Sequence, residues 1–555
     1  MSLKIRTVPE VPAETSRIAK AAFKKGNLWL QLRDQLGAVY QDEEFSEFFP
    51  DCGQPAFAPW RLALTSVVQF AENLTDRQAA DAVRSRLDLK YLLALELDDP
   101  GFDASVLCEF RARLISGDPQ TLLLDKLLEV CRDRKLLKAR GLQRTDSTHV
   151  LAAIRVLNRL ESVTLTLQQA LNVLATVAPE WVLEHCPSEW GERYGARVDN
   201  YRLPKSEAER RAYAEQVGSD GHQLLMAIYA DDQDQWLRQA PAVETLRQVW
   251  MQQFCLVKGQ WRWRDAKEHG LPPGATMIQS PTDQAARYAE KRGRGWTGYK
   301  AHLTERCDSD QPRLITEVMT TVATTPDVEA LDQVQEELAA KDCLPQRHVV
   351  DAGYISAKNL ARSETRHGIE LCGPPLKDTT WQARAGVGFA ASDFQIDWVK
   401  EQATCPAGHQ SVSWSQTTNR RGQEEIKIKF ARGDCRDCPK REQCTRTAEQ
   451  RRSLTILPEA EFRALEKARQ RAQTPEYREL YAARSGSEAS VSQAARRSGM
   501  RRARYIGLTK THLQNVLTAV AINFVRLFNW LGGARPGQSR RSALHNLLCP
   551  LPVTR

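Results

Sequence analysis

Two aspartates occupy positions where carboxylates can act together. Asp146 lies in segment 141–150 and Asp351 ends segment 348–351, and each segment is predicted to be a β-strand that ends at its acid. Neighbouring carboxylates repel each other unless a cation neutralises them. Mg²⁺ and Mn²⁺ prefer carboxylate oxygens, and two such ions can support in-line phosphoryl transfer. On neighbouring strands the pair predicts a divalent-metal site; the alternative is that each aspartate only caps a turn.

Glu488 is the candidate third acid. Tyr481, Arg484 and Glu488 are spaced three and then four residues apart, which puts them on one face of a helix predicted to begin at Thr474. Gly486 weakens that helix by about 1 kcal/mol. Two arrangements remain open: the helix continues through the glycine, or it breaks and Ser487 caps a new helix that begins at Glu488.

The positive charge is concentrated after Glu488. The chain has a net charge of +9, and its last 67 residues contain eleven Lys and Arg but no Asp or Glu, so residues 1–488 carry +9 − 11 = −2. Such segregation indicates a polyanionic partner, and nucleic acid is the first candidate. The candidate DNA-binding side chains in this segment are Arg496, Arg497, Arg501, Arg502, Arg504 and Lys510.

A group of cysteines predicts a second kind of metal site. Cys405, Cys435, Cys438 and Cys444 lie together in a basic segment, and His409 lies among them. Four cysteines grouped in this way are typical of a structural zinc ribbon, in which His409 can replace one thiolate. Reduced, unliganded thiols are the alternative. The other cysteines are scattered, and the total of 13 is odd, which favours a reducing compartment over a disulfide framework.

The elements around the acids form a recognisable order. Alternating residues predict strands at 296–304 and 314–322, joined as an antiparallel hairpin. Thr325 is predicted to be the N-cap of a helix with Pro326 in its first turn. A short strand follows at 368–372. The order strand, helical insert, strand, strand, helix, strand, helix, strand is that of a ribonuclease-H-like fold. In that fold the first strand lies beside the fourth and parallel to it, which would bring Asp146 close to Asp351.

The predicted class is α/β, and the chain divides into six parts. They are an N-terminal helical and candidate DNA-binding domain at 1–140; ribonuclease-H-like core strands and helix at 141–150 and 280–375; a helical insert at 151–279; a β-rich insert with zinc-ribbon-like cysteines at 376–470; the acidic helix and basic C-terminal part of the catalytic domain at 471–535; and a basic tail at 536–555. Arg111 and Arg113 lie on a predicted helix of the first part, which suits a helix-turn-helix or an ordinary helical bundle.

Several motifs occur in the order found in one protein family. The spacing of Tyr481, Arg484 and Glu488 resembles the signature of bacterial insertion-sequence DDE transposases, the superfamily with the pattern Tyr-x2-Arg-x3-Glu. The resemblance extends from about residue 40 to 530. Its other motifs are Ser280-Pro281-x-Asp283, Gly298-Tyr299-Lys300, Asp351-x-Gly353-Tyr354, Arg504-Tyr505-x-Gly507-x2-Lys510, and Gln514, Asn523 and Arg526. One departure is Ala495, where the family often has a lysine, with Arg496 following.

The resemblance implies a transposase of a mobile element that acts in DNA transposition and DNA recombination. It implies Asp146, Asp351 and Glu488 as catalytic metal ligands for Mg²⁺ or Mn²⁺, with Tyr481 and Arg484 contacting DNA. The implied reaction is strand cleavage and strand transfer by a two-metal mechanism, without a covalent enzyme–DNA intermediate. The partners are the inverted repeats at the transposon ends and target DNA, and synapsis of two ends predicts a homodimer on DNA.

Composition excludes other classes. Apolar residues make up 42% and charged residues 26%, which is typical of a globular protein. The longest apolar run, 516–531, is interrupted by Asn523 and Arg526 and is too short to span a membrane. With no secretory signal in view, a cytoplasmic protein is expected. The resemblance further implies a bacterial, nucleoid-associated protein. Two alternative functions remain: a metal-dependent DNA nuclease, and a catalytically silent zinc-containing DNA-binding regulator.

Overall fold

The structure is a computed structural model of the 555-residue chain. It describes residues 2–50, 52–117, 120–230, 234–420, 422–446, 451–535 and 543–548. Most of the predicted basic tail at 536–555 therefore lies outside the described residues. The described elements form a mixed α/β structure, which confirms the predicted class. Within the described ranges, no helix is both long and apolar enough to cross a membrane.

The N-terminal part is helical, as predicted. Its helices are α1 (Ala13–Ala22), α2 (Leu28–Leu36), α3 (Pro59–Glu72), α4 (Asp76–Ser85), α5 (Leu87–Leu92), α6 (Ser105–Ser116) and α7 (Leu122–Asp133), with a 3₁₀ helix at Asp42–Phe48. Helix α4 begins at a capping box, in which Thr75 accepts a hydrogen bond from Gln78 N while the Gln78 side chain accepts one from Thr75 N.

The middle of the chain holds a helical insert and all six strands of the central sheet. The elements in order are β1 (Leu142–Leu151), α8 (Arg159–Val177), α9 (Pro179–His185), α10 (Glu189–Tyr194), α11 (Glu207–Ala230), α12 (Pro241–Gln253), β2 (Phe254–Val257), β3 (Gln260–Trp263), β4 (Arg287–Lys291), β5 (Arg294–Arg306), β6 (Ile315–Val322), α13 (Asp327–Ala340), β7 (Arg347–Val350), α14 (Ala357–His367) and β8 (Glu370–Cys372). The β2–β3 hairpin inside the helical insert was not predicted. The cap of α13 was predicted wrongly: its N-cap is Pro326, without a side-chain hydrogen bond, rather than Thr325.

A smaller β-rich region and a set of helices complete the chain. They are α15 (Trp381–Ala385), β9 (Gln395–Asp397), β10 (Gln402–Thr404), β11 (Ser411–Thr418), β12 (Glu424–Phe430), α16 (Arg432–Arg436), α17 (Arg441–Cys444), β13 (Ser453–Ile456), α18 (Glu459–Arg471), α19 (Pro475–Ala482), α20 (Gly486–Ser498), α21 (Leu508–Leu531) and α22 (Ala543–Leu548). Strands β11, β12 and β13 form an antiparallel sheet.

The central sheet has six strands around β1. Its order is β4, β5, β1, β7, β8, and β6 also pairs with β5. The predicted hairpin is confirmed by the antiparallel β5–β6 pairing, which sets Leu303 opposite Val318. Strand β1 is antiparallel to β5 and parallel to β7. The predicted parallel contact between the first and fourth strands of the domain is therefore present.

One hydrophobic core joins the N-terminal helices to the sheet. It contains Phe110 of α6, Leu127 of α7, Leu303 of β5 and Ile522 of α21, all nearly inaccessible to water. Helix α21 is apolar on several faces because it packs between these layers. The N-terminal helices and the acid-bearing sheet are therefore one packed unit, whereas the helical insert has a core of its own.

Candidate functional site

Asp146 and Asp351 lie at the same edge of the β1–β7 pair. The parallel register sets Thr145 opposite Val350, so the aspartates are the next residue of each chain segment. Strand β7 ends before Asp351, as predicted. Strand β1 does not end at Asp146 but continues to Leu151, because its other neighbour, β5, still pairs with it. The prediction of a strand ending at Asp146 is therefore corrected, while the two acids remain neighbours.

The environment of Asp351 disfavours its charge. Its Oδ1 accepts a 2.8 Å hydrogen bond from Gly353 N in the turn that follows β7. Partial burial raises the pKa of Asp351 above its ordinary value, and the negative charges of Asp146 and Asp327 raise it further, against the opposing effects of Gly353 N and Arg484. A cation bound between these carboxylates would relieve this cost. The donor set therefore fits a hard divalent ion.

Helix α20 brings Glu488 to the cavity that these acids line. The hydroxyl of Ser487 donates a 2.8 Å hydrogen bond to Oδ2 of Asp146, which ties the first turn of α20 to β1. Asp146, Asp351 and Glu488 line one cavity of about 830 Å³. Asp146 is buried, while Glu488 is exposed at the cavity rim. Among the described residues, however, no three His, Cys, Asp or Glu side chains are close enough to form a metal-binding group.

The segment before Glu488 is not one continuous helix. Helix α19 ends at Ala482, a 3₁₀ turn spans Ala483–Ser485, and α20 begins at Gly486. The first arrangement expected from the sequence is the nearer one, because the backbone stays right-handed helical through Ala483, Ser485 and Gly486 and only the 3₁₀ turn interrupts the α-helix. Ser487 does not cap a new helix. The N-cap, Ser485, makes no side-chain capping bond. Ser487 instead lies one residue inside the helix, where its hydroxyl reaches Asp146.

A buried ion network sets the position of α20. Glu305 on β5 is 2.7 Å from Arg144 and 2.6 Å from Arg526, and it accepts a 2.6 Å hydrogen bond from Ser490 of α20. Burial raises the pKa of Glu305, but the two arginines and Ser490 outweigh it and hold the pKa below its ordinary value. A Cβ on Gly486 would overlap the Arg144 guanidinium. Glycine thus lets α20 approach β1 closely.

The guanidinium of Arg484 lies close to the two aspartates. Its Nη2 is 3.5 Å from Oδ2 of Asp146 and 3.8 Å from Oδ2 of Asp351. Tyr481 stacks on Tyr477 with ring centroids 5.9 Å apart. Partial burial and the two aspartates raise the pKa of Tyr481, partly offset by Arg484. The Tyr481, Arg484 and Glu488 side chains therefore lie around the acid pair, although a 3₁₀ turn interrupts their helix.

Sequence reasoning missed Asp327 and its partners. Its Oδ2 accepts a 3.1 Å hydrogen bond from Ser147, the residue after Asp146, and its Oδ1 is 3.2 Å from Nζ of Lys300. Lys300 also lines the acid cavity. Lys300 belongs to a motif noted in the sequence, but an acid in the first turn of a helix is ordinary. No local signal marks Asp327 as a neighbour of the site.

The basic residues after Glu488 divide between two environments. Arg496, Arg497, Arg501, Arg502 and Lys510 are exposed, and Arg501 lines the acid cavity and donates to Thr148 at 3.2 Å. Arg504 instead stacks on Phe70 at 4.5 Å and donates to Leu74 O at 2.9 Å. It therefore ties the C-terminal segment to the N-terminal helices.

Arg111 of the N-terminal part is also held internally. It is 5% exposed and forms a 2.6 Å ion pair with Asp76. Its neighbour Arg113 donates to Phe48 O at 2.9 Å. These arginines, which suggested a basic helix face, therefore stabilise the helical bundle.

The four cysteines gather around one small cavity. Cys405, Cys435, Cys438 and Cys444 line it together with His409, and all four are half-buried and free of disulfides. Burial, opposed by Arg452 and aided by the other three cysteines, raises the pKa of Cys444 to about 11. Soft thiolate ligands fit zinc. The cysteine side chains are not yet close enough to one another to enclose a metal ion, because the described residues contain no metal-binding group of three such side chains.

Two parts of the chain match known families. Residues 404–528 match a family described as a transposase DDE domain, and residues 18–113 match one described as a transposase domain, DUF772. No curated protein matches the chain. These two parts of the chain are thus similar to transposase domains. More particularly, the matches show the resemblance to insertion-sequence DDE transposases in two separate regions. The first match includes the cysteines, Arg484 and Glu488, but neither Asp146 nor Asp351.

Proposed function

We propose that this transposase catalyses metal-dependent DNA strand cleavage and strand transfer at the ends of an insertion sequence. The observation that carries the proposal is the single cavity lined by Asp146, Asp351 and Glu488. These acids are far apart in sequence, and they line this cavity from β1, from the turn after β7 and from α20. A set of three carboxylates at one open cavity suits phosphoryl transfer on a polyanion, which needs little covalent chemistry from the protein.

We infer that the acid-bearing sheet is a ribonuclease-H-like catalytic domain. The strand order β6, β5, β1, β7, β8 supports this assignment, as do the antiparallel β5 and the parallel β7 and β8. The helical part at 151–279 is inserted after the first strand of this domain. The part at 376–470 enters before the acidic helix. The N-terminal helices are proposed to take part in DNA binding through surfaces other than Arg111 and Arg113.

The acids are proposed to hold Mg²⁺ or Mn²⁺. Asp146 and Asp351 would be the first two ligands, and Glu488 would approach from the rim of the same cavity. When bound, a pair of such ions activates the attacking oxygen and stabilises the leaving oxygen. Ser487 orients the carboxylate of Asp146 through its hydrogen bond.

The remaining roles fall to residues around the acids. Arg484 and Tyr481 are proposed to contact the DNA phosphates next to the cleaved bond, since arginine pairs well with phosphate. Arg496, Arg497, Arg501, Arg502, Arg504 and Lys510 complete the proposed DNA-binding set. For Arg504 this requires release from Phe70, because its guanidinium is now engaged there. Water and then a DNA 3′-hydroxyl serve as nucleophiles, so no protein side chain attacks phosphorus.

A structural zinc ion is proposed in the β-rich insert. Cys405, Cys435, Cys438 and Cys444 would hold it, with His409 as an alternative ligand. The cavity that these side chains line together supports this assignment. We further propose that two copies of the chain act on DNA as a homodimer, since two transposon ends must be joined. A DNA substrate places the protein in the bacterial cytoplasm at the nucleoid.

Cleavage of plasmid DNA that carries the insertion sequence tests the proposal. With Mg²⁺, the native protein is expected to cut at the element's ends and to join those ends to target DNA. Asp351→Asn is expected to lose at least 10³-fold in rate while still binding DNA, because one carboxylate ligand is removed (about 4 kcal/mol of barrier). Asp310→Asn is the matched control, because Asp310 is an exposed surface acid paired with Lys138.

The products distinguish the alternative functions. Cut ends without joined products would identify a nuclease instead. Specific binding without any cutting would identify a DNA-binding regulator. Equal activity of Asp351→Asn and the native protein would remove the acid assignment.

A further inference from the structure

A hairpin with basic residues lines one side of the acid cavity. Strands β4 and β5 are joined by a two-residue turn at Arg292 and Gly293, with φ of 54° and 74°, and Lys291 pairs with Arg294 across it. Two successive positive φ values are typical of a tight hairpin turn whose twist matches that of the strands. The hairpin therefore presents three cationic side chains, those of Lys291, Arg292 and Arg294, on one short projection.

These cations have no acidic partner in the part of the chain that the structure describes. Lys291, Arg292 and Arg294 are exposed, and no described carboxylate lies within ion-pair distance of any of them. By contrast, Lys300 further along β5 pairs with Asp327 at 3.2 Å. Unpaired exposed cations contribute little to folding, so the hairpin charges are available for a ligand.

The hairpin cations face the acids. Lys291, Arg292 and Arg294 line the same cavity as Asp146, Asp351 and Glu488. Arg501 lines it as well, from the segment after α20. His149 also lines the cavity, where burial lowers its pKa and Arg501 and Lys291 lower it further. The cavity thus has carboxylates at the sheet edge and cations from two separate elements around them.

This arrangement separates two tasks. The carboxylates by themselves repel a phosphodiester, whereas a row of cations beside them attracts a chain of phosphates. We propose that the β4–β5 hairpin binds the sugar–phosphate backbone of the DNA strand that enters the acid cavity, beside the phosphate to be cleaved. The proposal rests on the proposed function, which makes that strand the substrate. It adds a DNA contact outside the basic segment that follows Glu488.

The hairpin at β2 and β3 supplies a matched control. Its turn, Lys258 and Gly259, has φ of 52° and 77°, so its backbone is nearly the same as at Arg292 and Gly293. Lys258 is exposed but lies in the helical insert and does not line the acid cavity. Arg292→Gln and Lys258→Gln therefore remove one cation each from equivalent turns, and only the first should affect DNA.

The test measures DNA binding as a function of salt. Arg292→Gln/Arg294→Gln is expected to weaken binding about tenfold near 0.1 M salt and to reduce the slope of log affinity against log salt by about 2, because two phosphates are no longer neutralised. Lys258→Gln should match the native protein. Neutral methylphosphonates beside the cleaved bond should weaken binding of the native protein but have little further effect on the double variant, since both changes remove the same interaction.

The outcomes separate this inference from the proposed function. A native salt slope in the double variant would overturn the hairpin's role, even if the native protein cleaves and joins DNA normally. Absence of cleavage by the native protein would overturn the proposed function, while a reduced slope in the double variant would still support the hairpin as a DNA-binding element. Equal weakening of binding in Lys258→Gln and Arg292→Gln would also overturn the hairpin's role, because charge alone would then explain it.

Discussion

The hydroxyl of Ser487 lies 2.8 Å from Oδ2 of Asp146, although the two residues are 341 positions apart in the chain. This hydrogen bond joins the first turn of α20 to the middle of β1. Because Glu488 is the next residue, the same hydrogen bond sets the third acid at the rim of the cavity that holds the other two. The assembly of the site therefore depends on a serine that is not itself a proposed metal ligand.

Removal of this hydrogen bond should loosen α20. Ser487→Ala is expected to destabilise the fold by about 2 kcal/mol, because the buried carboxylate of Asp146 no longer has the serine hydroxyl as a donor. Urea unfolding measures the change. Ser485→Ala is the control, since Ser485 is exposed and its hydroxyl donates only to Ala482 O in its own turn. Equal urea midpoints for Ser487→Ala and Ser485→Ala would contradict a role of Ser487 in docking α20.

Gly486 should resist substitution for a steric reason. Gly486→Ala is expected to cost about 2 kcal/mol, because the new methyl group overlaps Arg144, and Arg144 is held by Glu305 in a buried ion pair. Displacement of α20 should also reduce DNA cleavage. Gly191→Ala, in helix α10, meets no atom within 4 Å and should stabilise the fold by about 0.5 kcal/mol. If Gly486→Ala left the free energy of unfolding unchanged, α20 could shift without destabilising the fold.

Asp351 should make stability depend on pH. Its folded-state pKa is raised above the ordinary value of 3.8, so the folded state holds the proton more tightly than the unfolded state. The favourable contribution is complete below about pH 3.8 and is lost as the pH rises through the folded pKa. At neutral pH, Asp351→Asn should therefore have a higher Tm than the native protein, and the difference should narrow in acid.

Addition of a divalent metal should make the Tm of the native protein higher than that of Asp351→Asn. Mg²⁺ or Mn²⁺ is expected to raise the Tm of the native protein, because it neutralises the crowded carboxylates, and to have little effect on Asp351→Asn. Asp310→Asn serves as the control: Lys138 lowers the pKa of Asp310, so its loss should not stabilise the fold at neutral pH. A native protein that is already more stable than Asp351→Asn without metal would contradict the electrostatic explanation.

The cysteine cluster predicts a measurable metal content. Elemental analysis of the native protein is expected to find about one zinc per chain, and a chelator should lower the Tm because zinc binding contributes directly to folding. Cys438→Ser should reduce the zinc content. Cys52→Ser should not, since Cys52 is exposed and outside the cluster. Native protein that contains no zinc and keeps its Tm after chelation would contradict the proposed zinc ribbon.

Local patterns in the sequence predicted much of the fold. Alternation of apolar and polar residues identified β5 and β6. The position of Asp351 after β7 was also evident, because a short apolar run simply ends there. In contrast, the end of β1 was misplaced at Asp146. A strand ends where its partners end, and β5 is 13 residues long.

The sequence by itself identified the candidate acids, the group of cysteines and the basic segment after Glu488, because residue type and short spacing are local properties. Only the tertiary structure decided which charges are used inside the fold. Arg144 and Glu305 form one buried pair across β1 and β5, while Lys291 and Arg292 remain exposed at a turn, and nothing in their own neighbourhoods distinguishes them. The reason is physical: the free energy of a charge depends on its partners and its distance from water, and both are set by segments far away in the chain.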